Sequence, residues 1–153
     1  MSIGKLLENN KKARHDYFFE EVVECGIVLT GTEIKSVRAG GISLRDSYAK
    51  ISNGEVWVYN MHIAPYEQGN RYNSDPLRPK KLLLHKQEIR KMDSLIAQKG
   101  LTLVPVQVYL NPKGIVKLEL AVARGKKLYD KRADIAKRDS ERDMDRTRKE
   151  RNR

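Results

Sequence analysis

Between Leu101 and Ala123 the apolar residues fall on every second position, twice over. Val104, Val106, Val108 and Leu110 form the first set, and Val116, Leu118, Leu120 and Val122 the second, with Asn111-Pro112-Lys113-Gly114 between them. A period of two on both sides of a turn is what an antiparallel hairpin with one buried face requires, and a helix cannot satisfy it. Pro105 lacks a ladder donor, so it belongs at an edge or a bulge. After Ala123 the alternation stops and charge takes over. Residues 124–153 hold thirteen of the 31 Lys and Arg and seven of the 20 Asp and Glu, so this fifth of the chain carries +6 of the net +11. The chain therefore divides into a body at 1–123, long enough for one real core, and a basic tail at 124–153 with too little apolar surface to fold alone.

The body repeats the strand signal. Residues 48–59 alternate around Asn53-Gly54, the strongest short signal for a type I′ turn. A two-residue loop pairs Ile51 with Val56 and Ala49 with Val58 on one face, and Lys50 with Trp57 and Tyr48 with Tyr59 on the other. "YFFEEVVECGIVLTG" alternates from Phe18 to Cys25, with Gly26 a candidate bulge. Thr30 and Glu33 have capping-box spacing before a short helix that Gly40 stops, and a second helix runs from His85 to a stop at Gly100. Residues 65–80 read as a long loop, and residues 1–16, polar and without period, as a flexible arm. The expected fold is mainly β: an OB-type closed antiparallel Greek-key barrel with two or three short flanking helices. A sheet with helices on one face is the alternative.

Several function classes lack support. The one cysteine, Cys25, cannot form an internal disulfide, which fits a reducing cytoplasm. There is no signal-peptide pattern and no membrane-length apolar run. His15, His62 and His85 have no metal-ligand spacing with one another or with Cys25, and no catalytic constellation stands out. The expectation is a monomer that needs neither metal nor cofactor. A basic body with a basic tail points instead to a polyanion. "NKKARHDYF" places Asn10, Lys11, Lys12, Arg14, His15 and Tyr17 together, and "EIKSVR" sets Lys35 and Arg38 at i, i+3. The cations suit phosphates, and Tyr17 and His15 can stack on bases or sugars. With no recognition-helix motif, RNA or a single strand is favoured over duplex DNA.

"NKKARHDYFFEE", "GTEIKSVRAG", "SYAKISNGEVWVYNMHIAPY", "DPLRPKKLLLHKQEI" and "GKKLYDKRADIAKRD" follow one another in an order and spacing that resemble the SsrA-binding protein family, also called small protein B. The resemblance covers about Asn9 to Asp139. It implies an RNA-binding adaptor of bacterial trans-translation. Such a protein binds the tRNA-like domain of transfer-messenger RNA and enters stalled ribosomes with elongation factor Tu. Its tail orders in the decoding centre and empty messenger channel. By the same resemblance Asn10, Glu24 and Leu83 face RNA; the charge and ring chemistry of Lys11, Arg14, His15, Tyr17, Lys35, Arg38, Lys126 and Lys127 makes them further candidate RNA contacts. The tail residues Tyr129, Asp130, Lys131, Arg132 and Arg138 face the ribosome. The residues alone leave Leu83 open as an ordinary core leucine. They make Glu24 paradoxical, since an acid beside a polyanion is useful only as an acceptor for a base edge or 2′-OH, or as an orienter of a cation. Tyr129, Ala133, Ala136, Ser140 and Met144 recur at helical spacing, and the acid-first i, i+4 pairs Asp134–Arg138 and Asp145–Lys149 support coupled folding and binding. A ribosomal protein, a general RNA chaperone and a small RNase remain as other readings.

Overall fold

The computed structural model describes residues 3–66, 73 and 75–126. Among these residues there are nine strands and three helices. The strands are β1 (Lys5–Asn9), β2 (Tyr17–Ile27), β3 (Ile42–Ser43), β4 (Tyr48–Ser52), β5 (Glu55–Tyr59), β6 (His62–Ile63), β7 (Lys80–Leu83), β8 (Thr102–Leu110) and β9 (Val116–Gly125). The helices are α1 (Lys11–Asp16), α2 (Gly31–Arg38) and α3 (Lys86–Lys99). The fold is mainly antiparallel β. Pairing passes from β8 through β4, β5, β7, β2 and β9 and returns to β8, with β1 added along the outer half of β8. The links are unequal: β2–β9 runs from Tyr17↔Gly125 to Gly26↔Lys117, whereas β4–β8 meets at Ala49↔Leu103 alone.

The core is the inward face of this ring. Cys25, Ala49, Val56, Val58, Leu82, Leu103, Val108, Leu118, Leu120 and Val122 fill it, with Val37 from α2 and Met92 from α3. The β4–β5 hairpin has the register its sequence dictates, Ile51↔Val56 and Tyr48↔Tyr59, with Asn53 and Gly54 both at positive φ (51° and 75°). α2 opens on the full capping box: Thr30 Oγ1 accepts from the Glu33 amide at 3.3 Å, and the Glu33 carboxylate accepts from the Thr30 amide at 2.9 Å.

Three sequence expectations give way. Residues 5–16 are not a flexible arm. β1 pairs with the edge of β8, and α1 is capped by Asn10 and pinned by buried Ala13. The register shift in β2 falls between Phe19 and Glu21 rather than at Gly26, so Phe19 leaves the core face that Val23 and Cys25 share. The edge or bulge expected of Pro105 is a second shift, between Pro105 and Gln107, and it splits the single alternation expected of β8. Val104 consequently faces outward beneath α1, with Ala13, Ala123, Tyr17 and Phe19, while Val108 and Leu110 face the core. Each bulge inserts one residue and inverts the phase of the rest of its strand.

Candidate nucleic-acid interface

Alternation decides which side chains the outer face of β8, β9 and β2 presents. Leu118 and Leu120 point into the core, so Lys117 and Glu119 point out. Gln107 and Tyr109 on β8, and Glu24 and Gly26 on β2, share that outward phase by register: Gln107↔Glu119, Tyr109↔Lys117, Glu24↔Glu119 and Gly26↔Lys117. At one end of the row, the Arg14 guanidinium donates to Asn9 Oδ1 at 2.9 Å and to Gln107 Oε1 at 3.4 Å. Gln107 and Glu24 are thus two strands apart on the same face, about 10 Å.

Leu83 joins this face from β7. It pairs with Gly26, and its side chain lies over that glycine: a Cβ on Gly26 would stand 3.3 Å from Leu83 Cβ. Leu83 is 50% exposed, so it is not the ordinary core leucine that the residues alone left open; Leu82 fills the core in its place. Glu24 and Leu83 are neighbours here although 59 positions separate them in the chain.

Tyr109 stands on the opposite side of Glu24 from Leu83, on β8. It is fully buried, and its hydroxyl donates to Glu24 Oε2 across the intervening β9. Burial, followed by the hydrogen bond and charge of Glu24 and the charge of Glu119, pushes the phenol above its ordinary pKa. Sequence reasoning missed this residue. The available signal was a tyrosine in the outward phase between Val108 and Leu110, on a strand whose inward phase is all aliphatic.

The other expected residues are distributed around this row. Asn10 is a cap: its Oδ1 accepts from the Ala13 amide at 3.1 Å, and its Nδ2 donates to the Pro105 carbonyl at 2.8 Å. Lys11, Arg14 and His15 are exposed on α1, and the His15 ring contacts the Asp16 carboxylate at 3.0 Å. Tyr17 is half-buried and lines a groove of about 270 Å³ with Lys12, Asp46 and Tyr48. On α2, Arg38 donates to the Gly114 carbonyl at 2.6 Å, placing it at the tip of the β8–β9 hairpin. Lys35 instead lies 5.8 Å over the Tyr66 ring, so the structure does not bring the two cations onto one common target. Lys126 sits 4.9 Å over Phe18, at the far end of β2 from Leu83. Lys127, Tyr129, Asp130, Lys131, Arg132 and Arg138 lie outside the described residues. Among the described residues no cluster of His, Cys, Asp and Glu is arranged to hold a metal, and no helix is long and apolar enough to cross a membrane.

Comparison with known proteins places the chain in a family. The profile of the SmpB protein family matches residues 7–150. An SsrA-binding protein of Acetivibrio thermocellus is 62% identical over 146 residues, 95% of this chain and 94% of its own. The SsrA-binding protein of Ruminiclostridium cellulolyticum is 64% identical over the same shares. A solved structure described as "tmRNA-SmpB: a journey to the center of the bacterial ribosome" superposes with a TM-score of 0.64 at 50% identity, covering 77% of this chain and 82% of the other. With a family match along nearly its whole length and relatives this similar, the chain belongs to the SmpB family of SsrA-binding proteins.

Proposed function

We propose that this protein is an RNA-binding adaptor of trans-translation. It binds the tRNA-like domain of transfer-messenger RNA through the outer face of β8, β9 and β2 and delivers that RNA to stalled ribosomes. The observation that carries this reading is the convergence of Glu24 and Leu83 on one outer face, with Arg14 anchored to its border through Gln107. A row of cations would bind any polyanion. An exposed leucine beside a held carboxylate supplies an apolar contact and an acceptor, and these suit an unpaired base and its ribose. The names of the relatives support the same partner, and the neighbouring structure supports the ribosomal setting.

On this reading the ring of strands is an OB-type Greek-key barrel, and the protein acts in the cytoplasm as a monomer without catalysis. Elongation factor Tu accompanies it in the delivery complex. Residues 1–123 form the RNA-binding body and 124–153 the tail, which works in the decoding centre and messenger channel through Tyr129, Lys131 and Arg132. Asn10 serves the RNA face through α1, while Lys11, Arg14, Lys35, Arg38 and Lys126 contact phosphates. The test is to purify the full chain from bacterial cells and sequence the RNA that comes with it. One structured tRNA-like RNA should be enriched above its cellular share. A broad mixture in proportion to cellular abundance would mark a general RNA chaperone instead.

A further inference from the structure

We infer that Tyr109 is the positioning residue of the RNA-facing carboxylate, fixing Glu24 so that its second oxygen faces a hydrogen-bond donor on the RNA. This rests on the reading of Glu24 as an RNA contact and adds the group that makes such a contact workable.

The electrostatic setting of Glu24 is otherwise poor. Glu119 stands directly opposite it in the β2–β9 register, and like charges facing each other across two strands repel. Left to itself, the Glu24 side chain would swing away from Glu119 and sample several rotamers, and an acceptor that is not held loses affinity to side-chain entropy when it binds. Tyr109 removes that freedom. Its ring is packed in full burial and cannot follow the carboxylate, so the hydroxyl is a fixed donor at the end of a rigid arm that spans β9. Its raised pKa keeps the proton on the phenol throughout the pH range in which ribosomes work. One carboxylate oxygen, Oε2, is thereby taken. The hydrogen bond also draws charge off the carboxylate, which lowers the cost of bringing phosphates near it. Leu83 lies on Gly26, two residues along the strand from Glu24 and on the side away from Tyr109. The result is a single directed acceptor beside an apolar surface. Such a site accepts from a ribose 2′-OH or a base N–H, and it explains how an acid can serve on a face that meets a polyanion.

A double-mutant cycle on the full-length chain tests this, with affinity measured against a transcript of the tRNA-like domain of transfer-messenger RNA at two salt concentrations. Tyr109→Phe removes only the hydroxyl. It should weaken binding about tenfold, the scale of one hydrogen bond to a charged group. The slope of log affinity against log salt should not change, because no phosphate contact is lost. In a Glu24→Ala background the same substitution should have no further effect. Equal loss in both backgrounds would make Tyr109 a fold residue and overturn the inference. Tyr109→Phe that binds like the parent while Glu24→Ala binds weakly would overturn it too and leave the Glu24 reading standing. Glu24→Ala with parental affinity would overturn both. Urea denaturation of each variant accompanies the cycle, and loss of a cooperative transition in Tyr109→Phe would assign the hydroxyl to folding alone.

Discussion

The Lys80 side chain is fully buried at the head of the strand that carries Leu83. Its ammonium donates to the Met61 carbonyl at 2.8 Å and to the Pro76 carbonyl at 3.4 Å, tying both segments to the head of β7. Nearby, Glu33 is buried and paired with Arg78 at 2.6 Å. Burial alone would raise the Glu33 carboxyl, but the Arg78 hydrogen bond, the Thr30 amide and the charges of Arg78 and Lys80 together lower it. Burial is also the main influence on Lys80, whose pKa falls from 10.5 to about 8, Arg78 adding to the fall while Glu33 and Asp75 resist it. Between about pH 8 and 10.5 the unfolded chain holds a proton that the folded chain has released, so the Lys80 contribution to stability rises with pH across that window. Below it both states are charged and the fold bears the whole burial cost. Lys80→Met removes the titration, so the parent should gain about 2–3 kcal/mol relative to this variant between pH 7 and pH 10, read from urea denaturation. A pH-independent difference would mean that the buried ammonium titrates like a surface lysine. None of this was legible in "RPKKLLL", where Lys80 and Lys81 look alike. Register separates them, placing Lys80 inside and Lys81 on Glu55 at 2.9 Å.

Elements were legible where local chemistry decides them. Asn53-Gly54 sets the β4–β5 register because a type I′ turn fits only that pairing, and Thr30 with Glu33 sets the start of α2 because a helix leaves its first amides unpaired. The bulge at Phe19/Glu21 was not legible, since an inserted residue looks like any other member of an alternating run, whereas Pro105 marked an edge or a bulge and the second shift lies between it and Gln107. β1 escaped for a different reason. It pairs with β8 alone, shifts register between Leu6 and Glu8 and packs Leu7 on the core while Leu6 stays exposed, so it has no clean period. What holds it in place is non-local: the Asn10 amide donates to the Val106 carbonyl at 2.8 Å, and Glu8 accepts from the Leu44 amide at 3.1 Å. The candidate site followed the same division. Asn10, Glu24 and Leu83 were reached through family resemblance, and the fold places two of them on one outer face, Leu83 resting on Gly26 and Glu24 bonded to Tyr109. Asn10 has a structural duty, so Asn10→Ala should cost about 1–2 kcal/mol of stability through the lost cap and the orphaned Pro105 carbonyl. Its RNA binding should fall because α1, with Lys11 and Arg14, loosens from β8. An Asn10→Ala protein of parental stability that still binds weakly would instead make the amide a direct RNA contact.

Over the whole molecule, β2 and β9 act as a spacer with a different attachment at each end. Leu83 and Glu24 lie near Gly26, while the chain leaves β9 opposite Tyr17, where Lys126 rests over Phe18. Nine residues of extended chain put those ends about 30 Å apart. An RNA held at the first end therefore does not need the tail, which is rooted at the second. Charge follows the same separation, the body holding +5 and the tail +6. The strand itself continues past Ala123 to Gly125, so a clean truncation falls after Lys126, sparing the Tyr17↔Gly125 pair and the Phe18 contact. That truncated body should keep its cooperative urea transition and bind transfer-messenger RNA with close to parental affinity, yet fail to tag nascent chains on stalled ribosomes. Arg14→Ala in the full chain should do the reverse at the RNA step. It should weaken binding and reduce the log–log salt slope by roughly one unit, the signature of one lost phosphate contact. If truncation instead lowers RNA affinity by orders of magnitude, the tail is part of the first site and the spacer has no separate ends to join. If tagging survives truncation, the body alone performs delivery and the +6 of the tail serves some other contact.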